Sequence, residues 1–304
     1  MNRPSQNEAI RVGGRVVEIT RPEKLLFPGD RITKREFVEY YRRIAPVMLP
    51  HLRGRPIAME RYPDGIESPG FFQKKAPSYY PRWIKTALLK KEGGVVRHVV
   101  CGNAATLVYL ANQAVITPHS WLSRVDKPNN PDQMIFDLDP SDGDFRGVCS
   151  AAKDLRELLR HHGLIAFVKT TGSRGLHVLV PLNRRSDFDE VRAFARQVAV
   201  SLVTNDPEHL TIDLRRSKRR GRIFVDTARN AYAQTAAPAY AVRARDGVPI
   251  AVPLHWQELD TPGLEPDQFN IRNIFDRLKK MRDPWKDVQQ HAQKLPRWMD
   301  SDAA

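Results

Sequence analysis

Asp137 and Asp139 end the apolar run Met134-Ile135-Phe136-Asp137-Leu138-Asp139-Pro140 with a single residue between them. Side chains alternate faces along a strand, so the two carboxylates share a face, with Cα atoms roughly 6.6 Å apart. Ile135 lies on their side; Met134, Phe136 and Leu138 lie on the other. Like charges held this close repel, and a packed domain tolerates them most easily with a cation between them. Such a pair can bridge two divalent metals about 3.5–4 Å apart, the arrangement used for phosphoryl and nucleotidyl transfer. The same residues also read as a strand running into an Asp-Pro turn, because Asp139-Pro140-Ser141-Asp142-Gly143 is rich in turn formers. A calcium loop is excluded: its sixth position requires glycine and holds Asp142, and its twelfth is Val148.

Three further constellations could serve that chemistry. Asp226 is a third carboxylate at the end of a strand, and it joins the pair only if its strand neighbours theirs; alone it reads as the start of a turn. The loop Thr171-Gly172-Ser173-Arg174-Gly175-Leu176-His177 offers glycines for close backbone approach to phosphate, hydroxyls and a guanidinium as donors, and a returning histidine. No Gly-Lys-Ser/Thr and no helix follow, so it is not a Walker A loop; an ordinary hairpin with a packed histidine is the alternative. The run Arg215-Arg216-Ser217-Lys218-Arg219-Arg220-Gly221-Arg222 places six cations in eight residues directly before the Asp226 strand. Phe71-Phe72, followed by Lys74 and Lys75, combines aromatic rings with charge in a way that suits stacking on a base. Such runs and loops are also common as a solvated face or a cover over the core.

The elements that must position these residues follow from periodicity. Short strands are predicted at Arg15–Ile19 and Pro56–Arg61. A Thr33/Glu36 capping box opens a helix with Phe37, Tyr40, Tyr41, Ile44 and Val47 on one face. Pro63 to Lys75 reads as a loop, and Asn103 to Val115 as a buried helix. An amphipathic helix with Val148, Leu155, Leu158 and Leu159 stops at Gly163. Strands Ala166–Thr170 and Leu176–Pro181 flank the glycine loop, and Asp187 to Val203 is helical. Arg222–Asp226 is a strand with Phe224 and Asp226 on one face, and Gln268 to Met281 reads as a basic helix. Alternation without strict βαβ regularity indicates an α+β or mixed α/β fold over a sheet floor, and no polar gap of about 20 residues divides it.

The 304 residues carry 49 Lys+Arg against 35 Asp+Glu, a net charge of +14, and 41% are hydrophobic. That composition supports a sizeable core, and the excess charge favours a polyanionic partner, nucleic acid before an anionic membrane surface. No apolar run approaches the ~18 residues of a membrane span, and Met1–Ala9 lacks a signal-peptide core, so a soluble, intracellular protein is expected. Cys101 and Cys149 have no metal-ligand spacing and read as small packing residues.

Asp-x-Asp, a Gly-rich Ser/Thr loop ending in histidine, and a lone strand aspartate, in that order, resemble the archaeo-eukaryotic primase superfamily. The likeness narrows to the polymerase domain of bacterial DNA ligase D, the repair polymerase of non-homologous end joining. It rests on Thr20-Arg21-Pro22-Glu23-Lys24-Leu25-Leu26-Phe27-Pro28, His51-Leu52-Arg53-Gly54-Arg55-Pro56, Gly70-Phe71-Phe72-Gln73-Lys74, Phe136-Asp137-Leu138-Asp139-Pro140, Gly175-Leu176-His177-Val178 and Val225-Asp226, which span about residues 15 to 285. The resemblance implies a single primase-polymerase domain over 1–304, with a core at about 15–285 and a helix-flanked central sheet carrying three aspartates. By position, Asp137, Asp139 and Asp226 would bind two divalent ions, Mn²⁺ or Mg²⁺. His177, Thr171, Ser173 and Arg174 would hold a nucleoside triphosphate, joined by Gln234 and Arg243. Lys24 and Lys34 match lysines that grip a downstream 5′-phosphate, and Phe71 and Phe72 match a pair that stacks on the template. Arg55, Lys74, Arg216, Lys218, Arg219 and Arg220 are further expected DNA contacts. Thr171 replaces the family's usual serine, and Thr117-Pro118-His119 stands where some members place a histidine, so no role is assigned there.

The expected activity is template-directed gap filling at DNA ends, with a ribonucleotide preference. The expected partners are duplex DNA with a gap, overhang or 5′-phosphate, a Ku-type end-binding protein and a separate ligase; the expected location is cytoplasmic, at the nucleoid, away from membranes. No Lys-x-Asp-Gly ligase motif is present, so nick sealing and nuclease action are expected of other modules. A non-catalytic end-bridging module is the alternative, though a pure phosphate binder would gain by losing the three carboxylates. A primase starting chains de novo is a third possibility, weakened by the lack of a zinc motif.

Overall fold

A computed structural model describes residues 7–298. In chain order the first elements are β1 (Glu8–Val12), β2 (Arg15–Ile19), β3 (Leu25–Phe27), β4 (Ile32–Thr33), α1 (Lys34–Leu52), β5 (Pro56–Arg61) and β6 (Phe71–Gln73). Next come β7 (Thr86–Lys91), β8 (Gly94–Val100), α2 (Ala104–Asn112), β9 (Val115–Trp121), β10 (Gln133–Asp139), α3 (Phe145–His161), β11 (Phe167–Thr170) and β12 (Leu176–Pro181). The last are α4 (Phe188–Asn205), β13 (Leu210–Thr211), α5 (Arg216–Arg219), β14 (Ile223–Asp226), β15 (Thr235–Ala236), β16 (Pro253–Leu254) and α6 (Ile274–Lys280). They form two compact units. Among the described residues, one comprises 7–121 with Thr235–Ala251 and Asn270–Lys279; the other comprises Leu122–Gln234, Val252–Phe269 and 280–298.

The first unit is built on a sheet ordered β15-β9-β5-β8-β7, with β6 also paired to β5. Helix α1 opens with the expected capping box: Thr33 Oγ1 accepts from Glu36 N at 3.2 Å, and Glu36 Oε2 accepts from Thr33 N at 2.8 Å. Satisfying two of the orphan amides of the first turn fixes where the helix starts. It buries Phe37, Tyr40, Tyr41, Ile44 and Met48; Val47, expected on that face, is half-buried, and Met48 fills the core position. Helix α2 ends at Asn112 rather than near Val115, because Ala114 turns to φ 54° and Val115 begins β9.

Two expectations fail here. The helix read over Gln268 to Met281 begins only at Ile274. Asn270 Oδ1 accepts from Arg272 N at 3.0 Å and Asn273 N at 3.2 Å, and Asn273 Oδ1 accepts from Asn270 N at 2.9 Å, which holds this stretch in turns. Arg55, expected at DNA, is 1% exposed; its Nε donates to His51 O at 3.0 Å and its Nη1 to Trp121 O at 3.1 Å. A buried guanidinium is used here to satisfy a carbonyl of the last turn of α1 and the end of β9.

The second unit has a sheet ordered β13-β14-β10-β12-β11-β16, antiparallel except for the β13–β14 pair. Helix α4 starts with a second capping box, Asp187 and Glu190, and α3 with Asp144 accepting from Gly147 N at 2.8 Å. The two helices lie on the face of Leu138, Val225 and Ile223: a Cβ on Gly147 of α3 would come 3.1 Å from Ile223 Cδ1. Met134, Phe136 and Leu138 are wholly buried on that side, which frees the opposite face for polar residues. The basic run is structured, with α5 as a single turn and Arg220 in the left-handed region at φ 51°. Cys101 and Cys149 are buried in their respective units. Among the described residues no helix is long and apolar enough to cross a membrane.

Candidate active site

Four polar side chains stand in register across four adjacent strands of the second unit. Asp226 on β14 pairs directly with Asp137 on β10, Asp137 with His177 on β12, and His177 with Lys169 on β11. Directly paired residues share a face, so the row is contiguous on the side away from α3 and α4. Asp139 lies two residues along β10, opposite Phe224. The three carboxylates that the sequence could only suspect of being neighbours are therefore together, and His177 stands beside them.

Burial sets the electrostatics of this row. Asp137 is 8% exposed, and His177 Nε2 lies 3.4 Å from its Oδ1, an ion-pair distance too long for a full hydrogen bond. Burial would raise the Asp137 carboxyl, but His177, Arg229 and Lys169 outweigh it and hold it below the usual carboxylate range. Asp139 is pushed up to about 6, by burial first and then by Asp137 and Asp226, against Arg174 and Arg219. Burial raises Asp226 too, with Asp137 adding to it, against the Ala228 N–H bond and the cations Arg229 and Arg219. Two of three carboxylates are thus held toward the neutral form by burial first and by their acidic neighbours second, the condition a cation would relieve.

The glycine loop is shaped by one hydroxyl. Thr171 Oγ1 accepts from Gly175 N at 3.2 Å and Ser173 N at 3.3 Å, and donates to Gly175 O at 3.1 Å. That hydroxyl is buried and fully engaged, so Thr171 holds the loop closed instead of offering the donor expected of it. Gly175 is obligatory, since a Cβ there would lie 1.9 Å from Leu138 O. Ser173 is half-buried and Arg174 exposed, near enough to Asp139 to lower it.

The basic run feeds the same face. Arg219 lies with its guanidinium carbon 3.7 Å from the Phe224 ring centroid, while its Nε donates to Asp213 O at 3.1 Å. Arg216, Lys218 and Arg220 are exposed. Gln234 is exposed in this unit.

The first unit carries the other expected residues. Lys34 is buried, with Nζ 3.3 Å from Thr20 Oγ1, and Lys24 pairs with Asp64 at 2.7 Å. Phe71 is 47% and Phe72 60% exposed on β6, beside exposed Lys74. His119, to which the sequence assigned nothing, pairs with Glu60 at 2.9 Å and lies 5.2 Å from the Phe72 ring. Burial would raise Glu60, but His119, Thr117 and Arg243 outweigh it, so Arg243 belongs to this cluster.

Lys169, Arg229 and the Glu60–His119 pair were missed by sequence reasoning. A lysine inside an apolar strand leading to a glycine loop was the available signal for Lys169, because lysine is almost never buried without purpose.

The donor set fits a divalent cation. Asp137 Oδ1 is buried without a hydrogen-bond donor, and all three carboxylates are hard oxygen ligands. Among the described residues no three acidic, histidine or cysteine groups close around one ion-sized point. Magnesium-like ions are commonly held by one or two carboxylates completed by water and substrate phosphate.

A family model for the LigD primase-polymerase domain matches residues 33–285. The chain is 32% identical over 270 residues to the multifunctional non-homologous end joining protein LigD of Mycolicibacterium smegmatis, covering 88% of this chain and 35% of that protein. It is 34% identical over 283 residues to that of Pseudomonas aeruginosa, covering 92% and 34% respectively. The chain thus spans about a third of the length of these curated relatives. In structure it resembles the polymerase domain from Mycobacterium tuberculosis ligase D in complex with DNA, with a TM-score of 0.85, 30% identity, and coverage of 91% of this chain and 99% of that one. Matched by that family model over most of its length and by that solved domain in fold, the chain belongs to the LigD primase-polymerase domain family.

Proposed function

We propose that this chain is a template-directed nucleotidyltransferase that fills gaps at broken DNA ends during non-homologous end joining, preferring ribonucleotides. The observation that carries this reading is the in-register row Asp226–Asp137–His177 beside the Thr171–Gly175 loop. The relatives named for end joining and the neighbour bound to DNA support it. The family match takes in residues of both units, which supports treating about 15–285 as one catalytic domain.

Asp137, Asp139 and Asp226 would hold two divalent ions, Mn²⁺ or Mg²⁺. When bound, such ions supply activation of the primer 3′-hydroxyl and neutralise charge on the triphosphate. His177, Ser173, Arg174 and backbone amides of the loop would receive the triphosphate, and Thr171 keeps that loop in shape. Gln234 and Arg243 join the nucleotide, and the exposed cations Lys74, Arg216, Lys218 and Arg220 follow the DNA backbone with Arg219. A bond forms between the primer 3′-oxygen and the α-phosphorus while the bond to the bridging oxygen breaks. Pyrophosphate leaves with the electron pair, and the hydroxyl proton passes to water. Lys24 and Lys34 would take the downstream 5′-phosphate, and Phe71 and Phe72 the template at the break. A Ku-type protein and a ligase module would act alongside, in the cytoplasm at the nucleoid.

Primer extension on a gapped duplex, with each metal and each nucleotide type, tests this. Templated addition with ribonucleotides used at least several-fold better is expected. Tight DNA binding without extension under any condition would leave an end-bridging module instead.

A further inference from the structure

The β11 edge of the second sheet ends in a cationic pocket for which nucleotidyl transfer has no use. Strand β16 pairs with β11 only at Val168 and Lys169, so the start of β11 has no strand beside it. Side chains seal its backbone instead. Trp256 Nε1 donates to Ala166 O at 2.9 Å and Trp285 Nε1 to Val168 O at 3.1 Å. The Gln293 amide bonds both backbone groups of Ile165, at 2.7 and 2.9 Å. An edge sealed in this way cannot take an added strand, so a ligand here is held by side chains.

A cavity of about 330 Å³ lies there, lined by Arg156, Arg160, Leu164, Ile165, Leu254 and Trp256 among others. That is the lower end of ligand-site volumes, room for a short segment. The lining carries two arginines and two histidines and no carboxylate. Arg156 and Arg160 stand one turn apart on α3 and face the same way. The Arg156 guanidinium carbon lies 5.0 Å from the Trp256 ring centroid, and among the described residues no carboxylate pairs with it. The indole thus holds a flat guanidinium in place with its donors left for a ligand. Arg160 gives its Nε to Glu157 at 2.8 Å and keeps its two terminal nitrogens. Between the two cations and the sheet edge, Ile165 is 52% exposed, with buried Leu164 and Leu254 beside it in the lining.

We propose that this pocket docks an acidic peptide segment of a partner protein, with an apolar anchor side chain on Ile165 and flanking carboxylates on Arg156 and Arg160. Arginine suits the task because its planar fork bonds both oxygens of a carboxylate at once. Tryptophan, arginine and an apolar anchor are also the residues that concentrate binding energy in small interfaces. A nucleic acid strand fits less well. A base needs an open aromatic face, and both large rings of the lining already carry a neighbour: Arg156 on Trp256, and His291 5.4 Å from Phe167. Helix α3 packs on the sheet face opposite the carboxylate row, so these arginines do not serve the reacting phosphates. The assignment is independent of the polymerase reading.

The test is fluorescence anisotropy with three labelled probes: a short peptide of aspartates around one leucine, the same peptide with serine for the leucine, and a single-stranded oligothymidylate of equal charge. The parent should bind the leucine peptide at least several-fold more tightly than the serine peptide. In Arg156→Gln/Arg160→Gln, affinity for the leucine peptide should fall about tenfold and its salt dependence should flatten. Ile165→Ser should bring the leucine peptide down to the level of the serine peptide and leave the salt dependence as it was. Ile165 is half in solvent, so this variant keeps its fold, which an unchanged melting temperature checks. Binding to a gapped duplex should stay within about twofold of the parent in both variants, since neither touches the carboxylate face. Equal binding of the two peptides would overturn the proposal, reducing the arginines to general attraction; so would a leucine peptide that the parent does not bind. Oligothymidylate that displaces the leucine peptide from the parent, and loses its own affinity in the double arginine variant, would make the pocket a nucleic acid site instead.

Discussion

Asn230 closes both backbone positions of Ile135: its side-chain oxygen accepts from Ile135 N at 2.8 Å and its nitrogen donates to Ile135 O at 2.7 Å. Ile135 sits two residues before Asp137 on β10, and Asn230 ends the 3₁₀ turn Ala228–Asn230 that follows Asp226. One wholly buried amide thus ties the two carboxylate strands together where no strand partner serves. Asn230→Ala leaves a buried donor and acceptor unmade, which costs roughly 3 kcal/mol. Urea unfolding should show that loss, and extension should drop further than DNA binding because Asp226 loses its anchor. A variant of parental stability would mean that water replaces the amide.

The like-charge strain at Asp139 has a measurable sign. Asp139→Asn removes a carboxyl that burial, Asp137 and Asp226 hold toward the neutral form. In metal-free buffer at neutral pH the variant should be more stable by on the order of 1 kcal/mol, screening included, while extension is lost. Adding Mn²⁺ should raise the melting temperature of the parent more than that of the variant, and a chelator should reverse it. Extension within tenfold of the parent, or equal stabilisation of both by Mn²⁺, would remove the carboxylates from the ion site.

How much of this was legible depended on the range of the interactions. Alternation along Met134–Asp139 and the Thr33/Glu36 box are local, and both appear in the structure as read. The pairing of Asp137 with Asp226 and His177 is a matter of register between distant strands, which no local pattern encodes. Lys169 stood out locally only as a lysine in an apolar strand, and it acquires meaning when β11 sets it beside His177. Arg55 shows the opposite failure: adjacency to a matched motif suggested DNA, and the need for donors at the end of α1 decided otherwise. The Asn270–Asn273 turns overrode helical periodicity because an asparagine side chain competes for backbone amides.

His177 separates a phosphate donor from a packed ring. His177→Ala should raise the nucleotide KM at least tenfold and leave DNA affinity within twofold, since a charge-assisted bond to phosphate disappears. His177→Gln, which keeps a donor, should recover part of the loss. A variant that is merely less stable, with KM unchanged, would make His177 a strut between Asp137 and Lys169.

The last prediction concerns pH. The Lys34 ammonium is brought down to about 8, by burial first and then by Arg21, Lys24 and Arg61. In the free protein the folded state releases this proton before the unfolded chain does, so stability contributed by Lys34 should rise as pH climbs from about 8 toward the ordinary lysine value. Binding runs the other way. A 5′-phosphate favours the ammonium, so above about 8 the complex must take up a proton that the free protein lacks. The preference for a gapped duplex bearing a 5′-phosphate over one with a 5′-hydroxyl should therefore be level below pH 8 and decline above it, by up to about tenfold per pH unit. Lys34→Met should show a smaller preference with no decline. Lys24→Met, whose lysine pairs with Asp64 at 2.7 Å, should show a smaller preference that still declines. Fluorescence anisotropy with the two duplexes from pH 7 to 9.5 reads both. A parent preference that stays level to pH 9.5 would take Lys34 out of the phosphate site.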